Sequence, residues 1–292
     1  MSLVGSGGLG ALSYQPDETT ETNSLTDLND AMRFAGAVIE ESAETLPGSK
    51  ALQEAGSNPG GRYPKILVGW KEDSERLMIG SRDFTEGYIP CIMKLDMGNR
   101  LPVHLRDLCQ KEHHLLSAAQ QSGIDTPEHW LIRGENNETG GYANLVVKRF
   151  DRKGSQRIHT HTFGGLTHQL AVRYGSSYED LLRTTLALTK DHRQVTQQYR
   201  RMVFNVACGN RDDHVRNHSF IFDKTKGWAL SPAYDLTPTP ENTEHALSVN
   251  SKWNSIADSD LIKVAELFSI ERPRDIIEQS RSAIAAIRNS ER

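Results

Sequence analysis

The chain has 292 residues, enough for one large domain or two smaller lobes around a substantial core, and a formal net charge of −4 with a pI near 6.3. That balance excludes a global pull toward nucleic acid or anionic membrane, although 34 basic residues against 38 acidic ones leave room for local positive patches. Cys91, Cys109 and Cys208 are odd in number, far apart and form no close metal-ligand pair, and no apolar run approaches the ~18 residues of a spanning helix, so the chain reads as a soluble cytoplasmic protein with reduced thiols.

Residues 1–14 are Gly-rich and end in a short apolar strand or loop, and Asp17–Thr26 is polar and loop-like. Apolar residues at helical spacing (Leu28, Met32, Ala35, Ile39) predict an amphipathic helix over Leu28–Glu44, followed by a Gly/Pro/Ser-rich connector from Pro47 to Pro64. Strands are expected at Lys65–Trp70, Arg76–Ile79 and Tyr88–Leu95, the last an edge or bulged strand because of Pro90. A helix spans Leu101–Ser122 and stops at Gly123. His129–Arg133 and Asn144–Phe150 read as strands joined by the hairpin-like Glu135–Gly141. Helical pattern then dominates Gly165–Arg173, Tyr178–Thr189, His192–Cys208, Asp258–Phe268 and Pro273–Asn289. Strands early and helices late describe a two-lobed α+β architecture: a β-rich lobe over 1–147, a helical lobe over 148–292 and a cleft near residue 150.

The run from Phe204 to Asn217 interrupts the helices. It places Asp212 five residues before Asn217, with a lone Asp235 after a short strand-like segment and the run Ser231-Pro-Ala-Tyr-Asp235. That is the grammar of a kinase centre, where one Asp handles the acceptor hydroxyl while an Asn and a later Asp offer oxygens to Mg²⁺. Taken alone, Asp-Asp-His-X-X-Asn reads equally as a polar surface turn; the downstream Asp235 tips the balance. Asp213 is the adjacent carboxylate, ranked second because the spacing of five favours Asp212. Lys94 lies in an apolar strand, where a lysine either snorkels to the surface or is held by anions, and Glu112 follows eighteen residues on in a helix. A strand lysine paired with a helix glutamate grips nucleotide phosphates in kinases, though each residue by itself reads as an ordinary surface charge. Gly56-Ser-Asn-Pro-Gly-Gly-Arg-Tyr-Pro-Lys65 precedes a strand; its glycines would let backbone N–H groups approach phosphate, with charge from Arg62 or Lys65. His159, His161 and His168 lack a third ligand at zinc spacing and read as solvated or hydrogen-bonded histidines.

From about Gly8 to the C-terminus these motifs resemble, in collinear order, the HipA family of bacterial serine/threonine kinases, the toxins of toxin–antitoxin pairs. The resemblance implies a distantly protein-kinase-like fold and a Mg-ATP-dependent enzyme. It makes Asp212 catalytic and Asn217 with Asp235 the Mg²⁺ ligands. Gly60, Gly61, Arg62 and Lys65 stand at the glycine-rich loop, Lys94 at the ATP lysine and Glu112 at the helix glutamate. Lys148, Arg149 and Phe150, within Leu145-Val-Val-Lys-Arg-Phe-Asp-Arg152, stand at the hinge around adenine and ribose, and His214, Asn217 and Tyr234 at further nucleotide contacts. Expected partners are a HipB-like DNA-binding antitoxin, with DNA reached only through it, and a translation component such as an aminoacyl-tRNA synthetase as phosphorylated target; no membrane is implied.

The chain departs from the family in three places. It begins where the N-terminal subdomain of a long member ends, so the resemblance implies either a longer chain from which that subdomain has been cut away or a short form whose subdomain is supplied by a separate small protein. Asn58 stands where many relatives carry a second loop serine, leaving Ser57 as the candidate autophosphorylation site, where a phosphate would add about −1.5 to −2 charges beside the nucleotide. Tyr63 and Arg62 stand where Arg and a small residue are commoner. Two competing readings are a catalytically silent ATP-binding partner or co-repressor of a DNA-binding antitoxin, and a metal-dependent hydrolase using the Asp/His-rich run.

Overall fold

Alternating and continuous apolar runs in the first half of the chain assemble a six-stranded antiparallel sheet. The structure, a computed structural model, describes residues 9–12, 24–28, 30, 63–72, 76–79, 84, 87–96, 106–136, 140–154, 156–170 and 175–290. The strands are β1 (Ser24–Asp27), β2 (Lys65–Trp70), β3 (Arg76–Ile79), β4 (Ile89–Lys94), β5 (His129–Asn136) and β6 (Gly140–Lys148), in spatial order β1-β3-β2-β4-β6-β5. Trp70 pairs with Ile89 and Lys65 with Lys94 across β2 and β4, and Lys94 pairs in turn with Leu145 of β6. Ile66, Leu67, Val68, Ile79, Cys91, Met93, Leu95 and Val146 form the core of this sheet. The residues up to Thr26, expected as loop, include β1: a short polar strand takes its structure from pairing with β3, which no local pattern announces. The predicted helix over Leu28–Glu44 lies almost wholly outside the described residues, as does the glycine-rich loop.

The helix expected from Leu101 begins later. Arg106 and Asp107 form a turn, with Asp107 at φ 58°, and α1 runs over Leu108–Gln121. It ends as expected at Gly123, whose φ of 79° is costly for any other residue. The strands β5 and β6 extend into the expected loop Glu135–Gly141, so that Glu135 pairs with Gly141. Two small pieces had no clear sequence signal: the hairpin β7 (Arg152–Lys153) with β8 (Gln156–Arg157), and β9 (His159–Thr162).

Helices dominate the second half. A short helical turn, α2 (Phe163–Leu166), replaces the longer helix expected over Gly165–Arg173: His168 adopts φ 55°, and Gln169 N–H returns to the Gly164 carbonyl. There follow α3 (Tyr178–Thr189), α4 (His192–Cys208), α5 (Asp258–Leu267) and α6 (Pro273–Ser290). Between α4 and α5, β10 (Ser219–Asp223) and β11 (Gly227–Leu230) form a hairpin that joins β9 in a three-stranded sheet. Tyr178, Leu181 and Leu182 of α3, Val195, Tyr199, Met202 and Val203 of α4, and Leu261 and Val264 of α5 meet in one apolar core. Their three- and four-residue spacing is the stripe that drives an amphipathic helix onto its neighbours. The fold divides into two compact units, Met1–His113 with Glu128–His159 and His114–Pro127 with Thr160–Arg292. Among the described residues no helix is long and apolar enough to cross a membrane.

Candidate active site

In the first unit, Lys94 closes β4 and Glu112 stands on the second turn of α1. Their side chains form an ion pair with Nζ 2.5 Å from Oε2, and both are largely buried. Lys65 lies directly opposite Lys94 in the β2–β4 ladder. Opposed residues of an antiparallel pair share a face with Cβ atoms about 5 Å apart, and like charges there are unfavourable. Two lysines, Glu112 and the buried Asp96 thus gather at this end of the sheet, a cluster in which the lysines offer cationic groups to an anion. Tyr63, at the edge of the glycine-rich segment, places its hydroxyl 3.3 Å from Cys109 Sγ, one turn before Glu112.

The segment after β6 behaves less uniformly. Lys148 pairs with Glu128 at 2.6 Å on the surface. The Arg149 guanidinium is buried in a two-pronged bond to Asp151 (Nε–Oδ1 2.9 Å, Nη2–Oδ2 2.8 Å), and its backbone N–H donates to the Pro90 carbonyl. Its side chain thus anchors the chain locally. Asp151 also accepts from Arg152 and from the Gly10 N–H at 2.7 Å, which fixes the Leu9–Leu12 turn. Burial pushes the Asp151 carboxyl up, but the hydrogen bonds and charges of Arg149 and Arg152 outweigh it and hold the pKa below the usual aspartate range. Phe150 is half-buried. Ser57, Gly60, Gly61 and Arg62 lie outside the described residues.

In the second unit, α4 ends at Gly209, whose φ of 76° turns the chain into the loop that carries Asp212 to Asn217. The α2 turn packs on this loop so closely that a Cβ on Gly164 would come within 2.6 Å of Val215 Cγ2, so only glycine fits there. The two neighbouring aspartates take opposite sides. Asp213 is fully buried: Tyr178 donates to its Oδ2 at 2.7 Å, His245 Nδ1 lies 2.9 Å from the same oxygen, and the Ala246 N–H reaches Oδ1 at 2.8 Å. Asp212 is turned outward and exposed. Protein packed around its carboxyl nevertheless lifts its pKa above the usual range; Asp235, Asp213 and Glu241 add to the rise while His214 opposes it.

Asn217 Nδ2 donates to the Asp212 carbonyl at 2.8 Å, and its N–H donates to the His214 carbonyl. The side-chain amide has one acceptor and one donor end, so this bond fixes which end, Oδ1, faces away from the loop backbone. Asp235 sits in the left-handed region at φ 58°, and its carbonyl accepts from Asn210 Nδ2 at 3.4 Å. Tyr234 donates to the Arg216 carbonyl at 2.8 Å and lies 2.5 Å from Ser219 Oγ, so its hydroxyl is engaged with the loop. The His214 ring is half-buried, with Nδ1 lacking a hydrogen-bond partner.

The structure therefore brings Lys94 to Glu112, and Asp212 to Asn217 and Asp235. The residues that the sequence did not single out are Tyr178, Asn205, Asn210 and His245, which hold the loop from beneath; an asparagine on the apolar face of a helix was the one available signal. Among the described residues no group of three or more His, Cys, Asp or Glu side chains gathers to hold a metal. Two oxygen donors, Asn217 Oδ1 and the Asp235 carboxylate, suit a hard cation that keeps waters and phosphate oxygens as its other ligands. The rise that Asp235 adds to the Asp212 pKa reflects neighbouring negative charge that such a cation would offset.

The HipA-like C-terminal domain family model matches residues 57–288, most of the chain and all of the residues just described from Lys65 to Asp235. The chain belongs to that family. Two curated proteins, named "Putative kinase" and "Putative kinase Y4dM", are similar to this HipA-like chain. The one from Haemophilus influenzae is 30% identical over 148 residues, covering 46% of this chain and 43% of its own length. The other, from Sinorhizobium fredii, is 30% identical over 139 residues, covering 44% of this chain and 34% of its own. The chain thus spans less than half the length of these relatives. The Shewanella oneidensis MR-1 toxin–antitoxin structure of HipA, HipB and operator DNA shares the fold, with a TM-score of 0.69 and 18% identity, over 98% of this chain and 70% of that one.

Proposed function

We propose that this HipA-like chain is a Mg-ATP-dependent serine/threonine protein kinase. The observation that carries the reading is the bond from Asn217 Nδ2 to the Asp212 backbone carbonyl: it fixes an amide oxygen five residues on from an outward-facing carboxylate, with Asp235 close enough to perturb the Asp212 carboxyl. Phosphoryl transfer asks little covalent chemistry of a protein beyond positioning and charge compensation. In this reading the Asp212 carboxylate accepts a hydrogen bond from the acceptor hydroxyl, orients its oxygen and takes its proton. Asn217 Oδ1 and Asp235 hold the divalent cation, which when bound neutralises charge on the phosphate oxygens. Lys94, steadied by Glu112, binds phosphate oxygens, and Lys65 adds charge on the same face. Lys148 and the backbone around Phe150 offer nucleotide contacts, with Arg149 acting through the backbone it anchors; Gly60, Gly61 and Arg62 would close over the phosphates.

The family supports a toxin role, with growth arrest through a translation component as target, and the HipB and operator DNA of the Shewanella complex support a HipB-like DNA-binding antitoxin as partner. The test is phosphate incorporation by intact mass, with Mg-ATP and a cell lysate stripped of small molecules as acceptor source. The parent is expected to transfer phosphate. Asp212→Asn is expected to lose transfer by about 10³-fold or more while still binding nucleotide, and Asp235→Asn to need about tenfold more Mg²⁺. Parent-like transfer by both variants would refute the assignment.

A further inference from the structure

Beneath the loop, polar side chains are linked through the apolar core. Asp213 Oδ2 accepts from Tyr178 Oη (2.7 Å), Tyr178 Oη accepts from Asn205 Nδ2 (2.9 Å), Asn205 Oδ1 accepts from Asn210 Nδ2 (3.1 Å), and the same Nδ2 reaches the Asp235 carbonyl (3.4 Å). Tyr178 and Asp213 are fully buried, and Asn205 and Asn210 nearly so. One end of this chain of bonds is covalently next to Asp212; the other is the backbone of Asp235 itself.

We infer that Tyr178, Asn205 and Asn210 are positioning residues that hold the Asp212 segment and the Asp235 segment at a fixed separation. The inference rests on the roles proposed above for those two aspartates. Three features support it. Asparagine is a poor helix former, yet Asn205 sits on the apolar face of α4 among Tyr199, Met202, Val203 and Phe204, where a hydrocarbon would pack at less cost. Tyr178 is the first residue of α3, its N–H tied to the Ser248 carbonyl, so the central hydroxyl is fixed by a helix start rather than by a loop. His245 and Ala246 grip Asp213 from another segment, leaving the carboxylate no freedom to rotate away. A buried network whose bonds polarise one another responds as a unit, so loosening its centre loosens both ends. None of the three residues touches the reacting groups; they act through Asp212 and Asp235.

The decisive variant is Tyr178→Phe, which deletes one oxygen at the centre of the chain. Hydrogen exchange by mass spectrometry on the whole chain is expected to show peptides over 209–218 and 233–238 exchanging about tenfold faster, both together, with β2 and β4 unchanged. Thr185→Val is the control: Thr185 is buried on the same helix, and its hydroxyl donates to the Leu181 carbonyl, away from the Asp213–Tyr178–Asn205–Asn210 chain of bonds, so its loss lowers the melting temperature without the paired effect. Should Tyr178→Phe not fold, Asn210→Ala cuts the last link and is expected to give the same pairing. In transfer assays Tyr178→Phe is expected to raise the Mg²⁺ needed for half-maximal rate about fivefold or more, a change that Thr185→Val does not make. A parent that transfers no phosphate would defeat the kinase reading, and the exchange data would then decide the coupling alone. Faster exchange in only one of the two segments, or equal loosening by Thr185→Val, would overturn the inference.

Discussion

Glu112→Gln keeps the shape of the side chain and removes its charge, leaving the Lys94 ammonium against a neutral amide. The pair is well buried: 3% of the Glu112 side chain and 12% of that of Lys94 reach solvent. Breaking a buried ion pair at one end costs about 3–5 kcal/mol, because the remaining charge has lost its partner in a poorly polarisable setting. The residual exposure of Lys94 points to the lower end, about 3 kcal/mol, or roughly 6–12 °C in melting temperature for a unit of this size. Lys94→Met is expected to cost a similar amount. Replacing both, Lys94→Met with Glu112→Leu, removes two desolvated charges at once and is expected to recover most of the loss. Thermal melts of the four proteins rank these losses, and nucleotide affinity measured beside them separates stability from function: the double variant should melt close to the parent yet bind Mg-ATP at least tenfold more weakly. A Glu112→Gln protein that melts with the parent, or a double variant that binds nucleotide normally, would refute the reasoning.

Because Asp212 has a raised pKa in the fold, its contribution to stability is present at acid pH and lost as pH rises through that value. Asp212→Asn should therefore melt higher than the parent at neutral pH, with the gap closing below the usual aspartate range; transfer by the parent should show an acid limb above that range. Asp151 works in the opposite sense: its depressed pKa stabilises above the usual value and is lost as pH falls through the folded one. Arg149→Ala should shift acid unfolding to higher pH and cost about 3 kcal/mol in melts, whereas Lys148→Ala, at an exposed pair, should cost under ~1 kcal/mol.

Much of the fold was legible because its elements carry strong periodicity. Lys65–Trp70, Arg76–Ile79, Tyr178–Thr189 and His192–Cys208 form where their apolar spacing places them. Strand β1 and the β7–β8 hairpin were not legible, since short polar strands owe their structure to a partner distant in sequence or to a turn. The truncated helix at Gly165 failed for a local reason, the left-handed His168. In the site, spacing alone put Asp212 and Asn217 at a separation of five, and the structure adds the hydrogen bond that makes the spacing matter. That Asp213 faces inward could not be read from an Asp-Asp doublet, because the choice is made by Tyr178, His245 and Ala246 far away in sequence. The resemblance implies Arg149 as a nucleotide contact, and the bond from its guanidinium to a carboxylate two residues on could not be read from that likeness.

The opposite facing of Asp212 and Asp213 has a consequence for how such chains can vary in length. Inserting or deleting a single residue between Gly209 and Asp213 would present the wrong carboxylate to each environment, burying one side chain without its three donors and exposing the other. No compensating substitution at one position could repair that, because both sides of the chain depend on the same step of the backbone. The β10–β11 turn between Asp223 and Gly227, where Asp223 Oδ1 accepts from the Thr225 and Lys226 N–H groups, carries no such bookkeeping. Homologous chains should therefore drift freely in length at that turn while keeping the count from Gly209 to Asn217 unchanged.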